Sequence, residues 1–97
     1  MNLDNREIKK EVNKGIGTIG RIRILAELAK EPNDSFTRYS LQKSTGLKRS
    51  DLKENLKHLL QIRWVKEYEA IYPKYQINLD NSNVKALYKF FKEINYV

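Results

Sequence analysis

The chain of 97 residues has no cysteine, one histidine and no long hydrophobic run. The lack of cysteine excludes disulfides, thiolate metal sites and thiol-based sensing. No stretch approaches the ~20 apolar residues of a membrane span, and the opening MNLDNREIKK lacks the apolar segment of a secretory signal. His58 has no second histidine or suitably spaced carboxylate pair to complete a metal or catalytic site. We therefore expect an intracellular, cytoplasmic protein that is not an enzyme and that uses no cofactor and no metal.

Glycine is also scarce, yet three of the four glycines fall in GIGTIG at residues 15–20, which matches the GxGxxG pattern of dinucleotide sites. That pattern binds a pyrophosphate where a strand precedes it and a helix follows. Here the preceding residues read as a helix, for which Asp4 and Glu7 form a capping box, and no βαβ unit follows. The sequence therefore predicts a hinge between an N-terminal helix in residues 1–17 and a core helix that Thr18 can cap.

Basic side chains, by contrast, are abundant and concentrated in one segment. The whole chain has a formal net charge of +7, and residues 35–63 carry seven cations against two acids, a net charge of +5. The cations are Arg38, Lys43, Lys48, Arg49, Lys53, Lys57 and Arg63. A patch of this kind indicates binding to nucleic acid, although a solvated helix face rich in lysine gives the same charge.

Within this segment, a short helical pattern ends in a tight turn. Thr37 can cap a helix over Arg38–Ser44, and Tyr39 and Leu41 are the side chains that we expect to anchor it in the core. Gly46 follows this helix and tolerates the positive φ with which a chain leaves one helix and enters the next. The turn therefore predicts two helices that meet at a steep angle.

The second helix, over about residues 48–61, combines a leucine stripe with a polar opposite side. Its leucines are Leu52, Leu56, Leu59 and Leu60. Asp51 lies in the first turn, where a carboxylate favours the helix dipole, whereas no role is evident for Glu54. Two helices, a tight turn and a basic second helix are together typical of a DNA-reading helix-turn-helix.

The residues on either side of these helices predict a winged arrangement. Trp64–Tyr68 and Lys74–Leu79 read as two strands of a hairpin, and a very short third strand can form around Phe36. A helix over about Thr18–Lys30 precedes them and ends before Pro32. Its expected buried face consists of Ile19, Ile22, Leu25, Ala26, Leu28 and Ala29.

The fold class that we expect is mainly α with a small β-hairpin (α+β). It is a winged helix-turn-helix with added N- and C-terminal helices, in one domain over residues 1–97. Residues 1–17 would form the N-terminal helix and hinge, residues 18–80 the winged-helix core, and residues 81–97 a C-terminal dimerisation helix.

The last helix, over about Asn83–Tyr96, is strongly amphipathic. Its apolar side, widened by Phe90, exceeds what one small domain easily covers, which favours a homodimer over packing on its own domain; the sequence leaves both possibilities open. The predicted dimer interface is Ile8, Val12, Val84, Leu87, Tyr88, Phe91 and Ile94.

From about Thr18 to Phe91 the chain resembles winged helix-turn-helix transcription regulators of the ArsR and MarR superfamily, especially small archaeal ones. The resemblance is carried by GRIRIL from Gly20, TGL from Thr45, the Leu52 and Leu56 pair, and Trp64 with Val65. It implies that the second helix enters the major groove of double-stranded DNA, with Arg49, Ser50, Lys53 and Lys57 nearest to the DNA. Thr37, Arg38 and Lys43 would then lie against phosphates, and Lys48 and Lys74 complete the expected DNA-binding set.

Some residues depart from the pattern of that superfamily. Gln42 stands where many such motifs have a small residue. In the wing, residues 69–74 offer one cation, Lys74, and Glu67 and Glu69 would repel phosphate. Two functions therefore remain. One is a sequence-specific, nucleoid-associated transcription regulator that binds DNA as a homodimer. The other is a nonspecific architectural DNA binder or a protein-interaction module, which an exposed wing tip at Tyr68, Ile71 and Tyr72 would suit.

Overall fold

Four helices and one three-stranded antiparallel sheet make up residues 19–97, the part of the chain that the computed structural model describes. In chain order they are α1 (Ile19–Lys30), β1 (Phe36–Thr37), α2 (Arg38–Thr45), α3 (Arg49–Gln61), β2 (Val65–Tyr68), β3 (Lys74–Ile77) and α4 (Ser82–Glu93). The predicted fold class, mainly α with a small β-hairpin, is confirmed. The expected N-terminal helix and hinge, with Thr18, Ile8 and Val12, lie outside the described residues.

The turn between α2 and α3 forms as its residues predict. The Thr37 hydroxyl oxygen accepts from the Ser40 amide at 3.2 Å and caps α2. Gly46 closes the same helix with φ 72°, and its amide donates to the Gln42 carbonyl at 3.0 Å. The buried Thr45 hydroxyl donates to the Leu41 carbonyl at 2.6 Å. These local bonds fix the angle at which α3 leaves α2.

Helix α1 is more deeply buried than its sequence indicates. Ile24, which falls outside the expected apolar stripe, is fully buried, whereas Ile19, which was expected inside it, is 57% exposed. The helix lies between other elements and packs against α2, α3 and β3, so residues on several of its sides reach the core. Gly20 sits where α1 approaches α3, because a Cβ there would lie 2.6 Å from the Asn55 side-chain nitrogen.

The sheet has the order β1-β3-β2, and both pairings are antiparallel. The expected third strand is therefore confirmed, with Phe36 opposite Tyr75. Tyr75 and Ile77 face the core. Strand β2 begins at Val65, one residue later than predicted, because the Trp64 amide still donates to the Leu59 carbonyl of α3 at 2.9 Å.

Helix α4 contributes part of its apolar side to the domain's own core. Asn81 caps it by accepting from the amides of Asn83 and Val84 at 2.9 and 3.2 Å. Val84 and Phe91 are almost fully buried, and Tyr96 stacks on Phe91 with ring centroids 4.8 Å apart. These two core residues are not available to a partner, which corrects their assignment to a dimer interface. The interface residues that remain partly exposed are Leu87, Tyr88 and Ile94, beside Phe90.

Over residues 19–97, no helix has the length and apolar character needed to cross a bilayer.

Candidate nucleic-acid interface

Three cations of α3 form a ridge along one exposed flank of the helix, beside its buried leucine stripe. Arg49, Lys53 and Lys57 follow one another at intervals of four residues, so they lie on one face of the helix. Leu52, Leu56 and Leu59 are buried behind them. The leucine stripe thus fixes which sides of α3 are presented to solvent. The exposed flank with these three cations is basic, whereas the exposed Asp51 and Glu54 lie further around the helix.

Arg38 at the start of α2 joins this ridge. It lines a shallow pocket of about 350 Å³ with Arg49 and Lys53, and a second pocket with Lys53 and Lys57. The α2–α3 turn brings together these four cations, which lie up to 19 positions apart in the chain. We refer to Arg38, Arg49, Lys53 and Lys57 as the cationic face.

The position of Arg38 is set by a buried tyrosine. Its Nε donates to the Tyr75 hydroxyl at 3.0 Å, and the guanidinium carbon lies 5.9 Å from the centre of the Tyr75 ring. Burial raises the pKa of Tyr75, the Arg38 hydrogen bond opposes that rise, and Glu67 adds to it. The neutral phenol can therefore hold Arg38 at the edge of the core with one side of its guanidinium directed outward.

The cationic face has no ion-pair partner among residues 19–97. Lys30 pairs with Glu27 at 2.9 Å, and Lys66 pairs with Asp80 at 2.6 Å. The second pair raises the pKa of Lys66 and lowers that of Asp80 through their hydrogen bond. Cations without carboxylate partners are available to bind phosphate.

The other residues expected at DNA surround this face. Lys43 is exposed in the last turn of α2, Lys48 precedes the first residue of α3, and Ser50 is exposed in its first turn. Thr37 is half-buried, and its hydroxyl oxygen serves the cap of α2. Lys74 lies opposite Thr37 in the sheet, at the base of the wing. The nine predicted DNA-binding residues thus lie on α2, on α3, in the turn between them or on the adjoining strands.

Tyr39 lies on this surface and not in the core, where the sequence predicted it. It was expected to anchor α2 in the core, but it is 69% exposed and lines the pocket that Arg38, Arg49 and Lys53 share. The core residues of α2 are Leu41 and Thr45, four positions apart. Tyr39 is two positions from Leu41, about 200° around the helix, so the helical period itself indicates the solvent side.

The wing differs in chemistry from the cationic face. At its tip, Ile71 is 94% exposed to solvent and Tyr72 is 73% exposed. Glu67 in β2 and Glu69 in the loop that follows it are also exposed. Tyr68 donates through its hydroxyl to the Gln76 side-chain oxygen at 2.7 Å across the hairpin. The wing therefore presents apolar and acidic groups rather than a row of cations.

The acidic residues of α3 itself are Asp51 and Glu54, both exposed. Within residues 19–97, no group of three or more histidine, aspartate and glutamate side chains is placed to hold a metal ion. Asp51 lies in the first turn of α3, where its charge favours the helix dipole. His58 is half-buried on the flank of α3 that faces the start of α1.

No family model matches the chain, and no curated protein matches it. Among solved structures, a crystal structure of MepR, a transcription regulator of the Staphylococcus aureus multidrug efflux pump MepA, is similar. The two share 14% sequence identity with a TM-score of 0.72, over 95% of this chain and 70% of that chain. At this identity the likeness establishes the fold alone. The chain has a winged-helix fold like that of MepR.

Proposed function

We propose that this protein is a transcription regulator that binds double-stranded DNA sequence-specifically, with α3 in the major groove. The observation that carries the proposal is the cationic face, whose four cations lie on the helix-turn-helix without carboxylate partners among the described residues. The similar MepR structure is that of a transcription regulator, which supports the same use of the fold.

Affinity and discrimination come from different residues in this proposal. Arg38 and Lys43 contact phosphates, which supplies sequence-independent affinity and a steep dependence on salt. Arg49, Ser50 and Lys53 at the start and middle of α3 reach base edges, where an arginine or lysine pairs best with the O6 and N7 atoms of guanine. Arg38 is held by Tyr75 at 3.0 Å, so it meets the phosphate with little loss of side-chain freedom.

The proposed regulator is a homodimer that pairs through α4. Leu87, Tyr88, Phe90 and Ile94 form the partly exposed apolar side of this helix. To read successive major grooves on one side of a duplex, the two α3 helices of the dimer would have to lie about 34 Å apart. Analytical ultracentrifugation tests the oligomeric state directly, and a monomer at micromolar concentration would remove this part of the proposal.

A selection from a random duplex pool, followed by salt titrations, tests the DNA-binding function. Sequence-specific regulation predicts a preferred site that binds at least ~10³-fold more tightly than a scrambled duplex, together with a steep loss of affinity as salt rises. Equal affinity for every duplex would leave a nonspecific architectural binder. No binding at low salt would leave a protein-interaction module, for which the exposed Ile71 and Tyr72 of the wing are the supporting observation.

Two single variants separate base reading from phosphate contact. Arg49→Ala should weaken the preferred site more than the scrambled duplex, because a base contact is lost. Lys43→Ala should weaken both equally and lower the salt slope by about one. Lys85→Ala is the matched control, since it removes an exposed lysine from α4. Identical behaviour of the first two variants would contradict the placement of α3 in the groove.

A further inference from the structure

A cleft with aromatic walls lies beside the cationic face, between the start of α2 and the wing. It encloses about 520 Å³ and its lining is mostly apolar. None of its five lining residues is acidic: Thr37, Arg38, Tyr39, Tyr72 and Pro73. Two of them belong to α2 and two to the wing loop, so the cleft exists only because the fold brings these distant segments together.

The two tyrosine rings of the cleft are not used by the core. Tyr39 is 69% exposed and Tyr72 is 73% exposed. By comparison, Tyr75 is buried and bonded to Arg38, and the Tyr68 hydroxyl is bonded to Gln76. Large aromatic rings with most of their area in water are typical of surfaces that bind a partner.

The cleft is continuous with the cationic face and is flanked by cations. Arg38 and Tyr39 line both this cleft and the pocket of Arg49 and Lys53. The Lys43 ammonium lies 5.2 Å from the centre of the Tyr39 ring, and Lys74 follows Pro73 directly. A ligand in the cleft would thus meet aromatic faces at its centre and positive charge on two sides.

A nucleobase attached to a phosphate chain has this combination of properties. Bases stack on tyrosine rings, and the phosphates on either side bind lysine and arginine. A base within an intact duplex is already stacked on its neighbours and cannot enter. We propose that the cleft binds one unstacked base of a DNA strand, an inference that rests on the proposed DNA-binding function. The protein then prefers a duplex with an unpaired base next to the site of α3.

A duplex with a single-base bulge tests this proposal. The probe is the selected duplex, either perfect or with one 2-aminopurine bulge placed at successive positions along each flank of the site. We expect about tenfold tighter binding for one bulge position, the size of one base–tyrosine stack. The 2-aminopurine fluorescence should also fall on binding at that position, because stacking on an aromatic ring quenches it.

Conservative and nonconservative tyrosine variants separate stacking from other contacts. Tyr39→Leu and Tyr72→Leu should abolish the bulge preference, since leucine has no aromatic face. Tyr72 does not line the pocket of the cationic face, so Tyr72→Leu should also leave affinity for the perfect duplex within about twofold. Tyr39→Phe and Tyr72→Phe should retain the preference. Tyr68→Leu is the matched control on the same wing, since Tyr68 does not line the cleft. The Tyr39 and Tyr72 side chains are mostly exposed, so their replacement should leave the thermal unfolding temperature nearly unchanged.

Several results would overturn the proposal. Equal affinity for the perfect duplex and every bulged duplex would contradict base binding in the cleft, but it would not affect the proposed regulator function. A preference that survives both leucine variants would place the bulge elsewhere, and equal losses in the phenylalanine and leucine variants would indicate a hydroxyl contact. If neither duplex binds, the proposed function fails as well.

Discussion

The helix-turn-helix and the wing of this domain are neighbours that differ in surface chemistry. The first presents four cations that lack carboxylate partners within residues 19–97, and the second presents Glu67, Glu69 and the exposed Ile71. An anionic duplex should therefore be attracted more strongly to the helix pair than to the wing, where Lys66 and Lys74 offset the charges of Glu67 and Glu69. A winged fold therefore does not require both of its parts to bind DNA through charge. Here the helix pair should supply the affinity, and the wing should contribute through its aromatic side.

The two regions also differ in how they are held. The helix pair is fixed by the Thr37 cap, by the Gly46 turn and by a leucine stripe in the core. Beyond the four-residue strands, the wing loop at residues 69–73 is exposed along its whole length. Changes in the helix pair should thus alter both stability and binding, whereas changes at the wing tip should alter binding alone.

The largest expected effect comes from removing two cations of α3 together. Arg49→Ala with Lys53→Ala should weaken binding to the preferred site by about 100-fold or more, because each lost base contact costs about 1–3 kcal/mol. Fluorescence anisotropy with a labelled duplex measures the change. The control is Lys85→Ala with Lys89→Ala, which removes the same charge from exposed positions on α4. Equal losses in the two double variants would mean that total charge, and not the helix face, determines affinity.

Breaking the turn should reduce the stability of the helix pair. Gly46 has φ 72°, and nothing lies within 4 Å of a Cβ placed there. Gly46→Ala therefore tests backbone strain alone and should lower the free energy of unfolding by about 1–2 kcal/mol. Gly46→Asn should lose less, because asparagine tolerates the left-handed region better. Urea denaturation monitored by circular dichroism measures both, and an unchanged midpoint for the alanine variant would refute the role given to Gly46.

These two regions also differ in how well sequence predicts them. Thr37 and Gly46 were placed correctly because caps and turns depend on residues within one helical turn. The pattern misplaced Tyr39, which was treated as core because it is large and partly apolar, although its position relative to Leu41 indicates the opposite side. Ile24 was missed because packing of α1 against several elements, rather than one amphipathic stripe, determines its burial.

The site was predicted less completely than the fold for a physical reason. The cations of α3 follow from helical spacing, but the hydrogen bond between Arg38 and Tyr75 joins residues 37 positions apart. The cleft likewise needs Tyr39 and Tyr72 to meet across the start of the wing. Contacts of this kind depend on the path of the chain in space, and no local pattern encodes them.

Removing the hydrogen bond between Arg38 and Tyr75 should have an effect of intermediate size on DNA affinity. Tyr75→Phe keeps the ring in the core and removes the hydroxyl that accepts from Arg38. Binding to all duplexes should weaken about fivefold, close to the ~1 kcal/mol of one hydrogen bond, because Arg38 loses its fixed position. In an Arg38→Ala background the same change should have almost no further effect on binding. Additive losses in that double-mutant cycle would show that Tyr75 acts independently of Arg38.

The smallest expected effect is on the wing, where charge should oppose binding. Glu69 is exposed in the wing loop, so Glu69→Gln removes one negative charge that repels phosphate without disturbing the core. Affinity should rise about twofold at low salt, and the gain should vanish near 1 M salt, where the screening length falls to about 3 Å. Glu93→Gln, an exposed change on α4, is the control and should not alter binding. Salt-dependent anisotropy on the perfect duplex resolves the difference between the two. A loss of affinity in Glu69→Gln would mean that this carboxylate accepts a hydrogen bond from a base. The wing would then contact bases together with α3, and the contrast between the two regions would not hold.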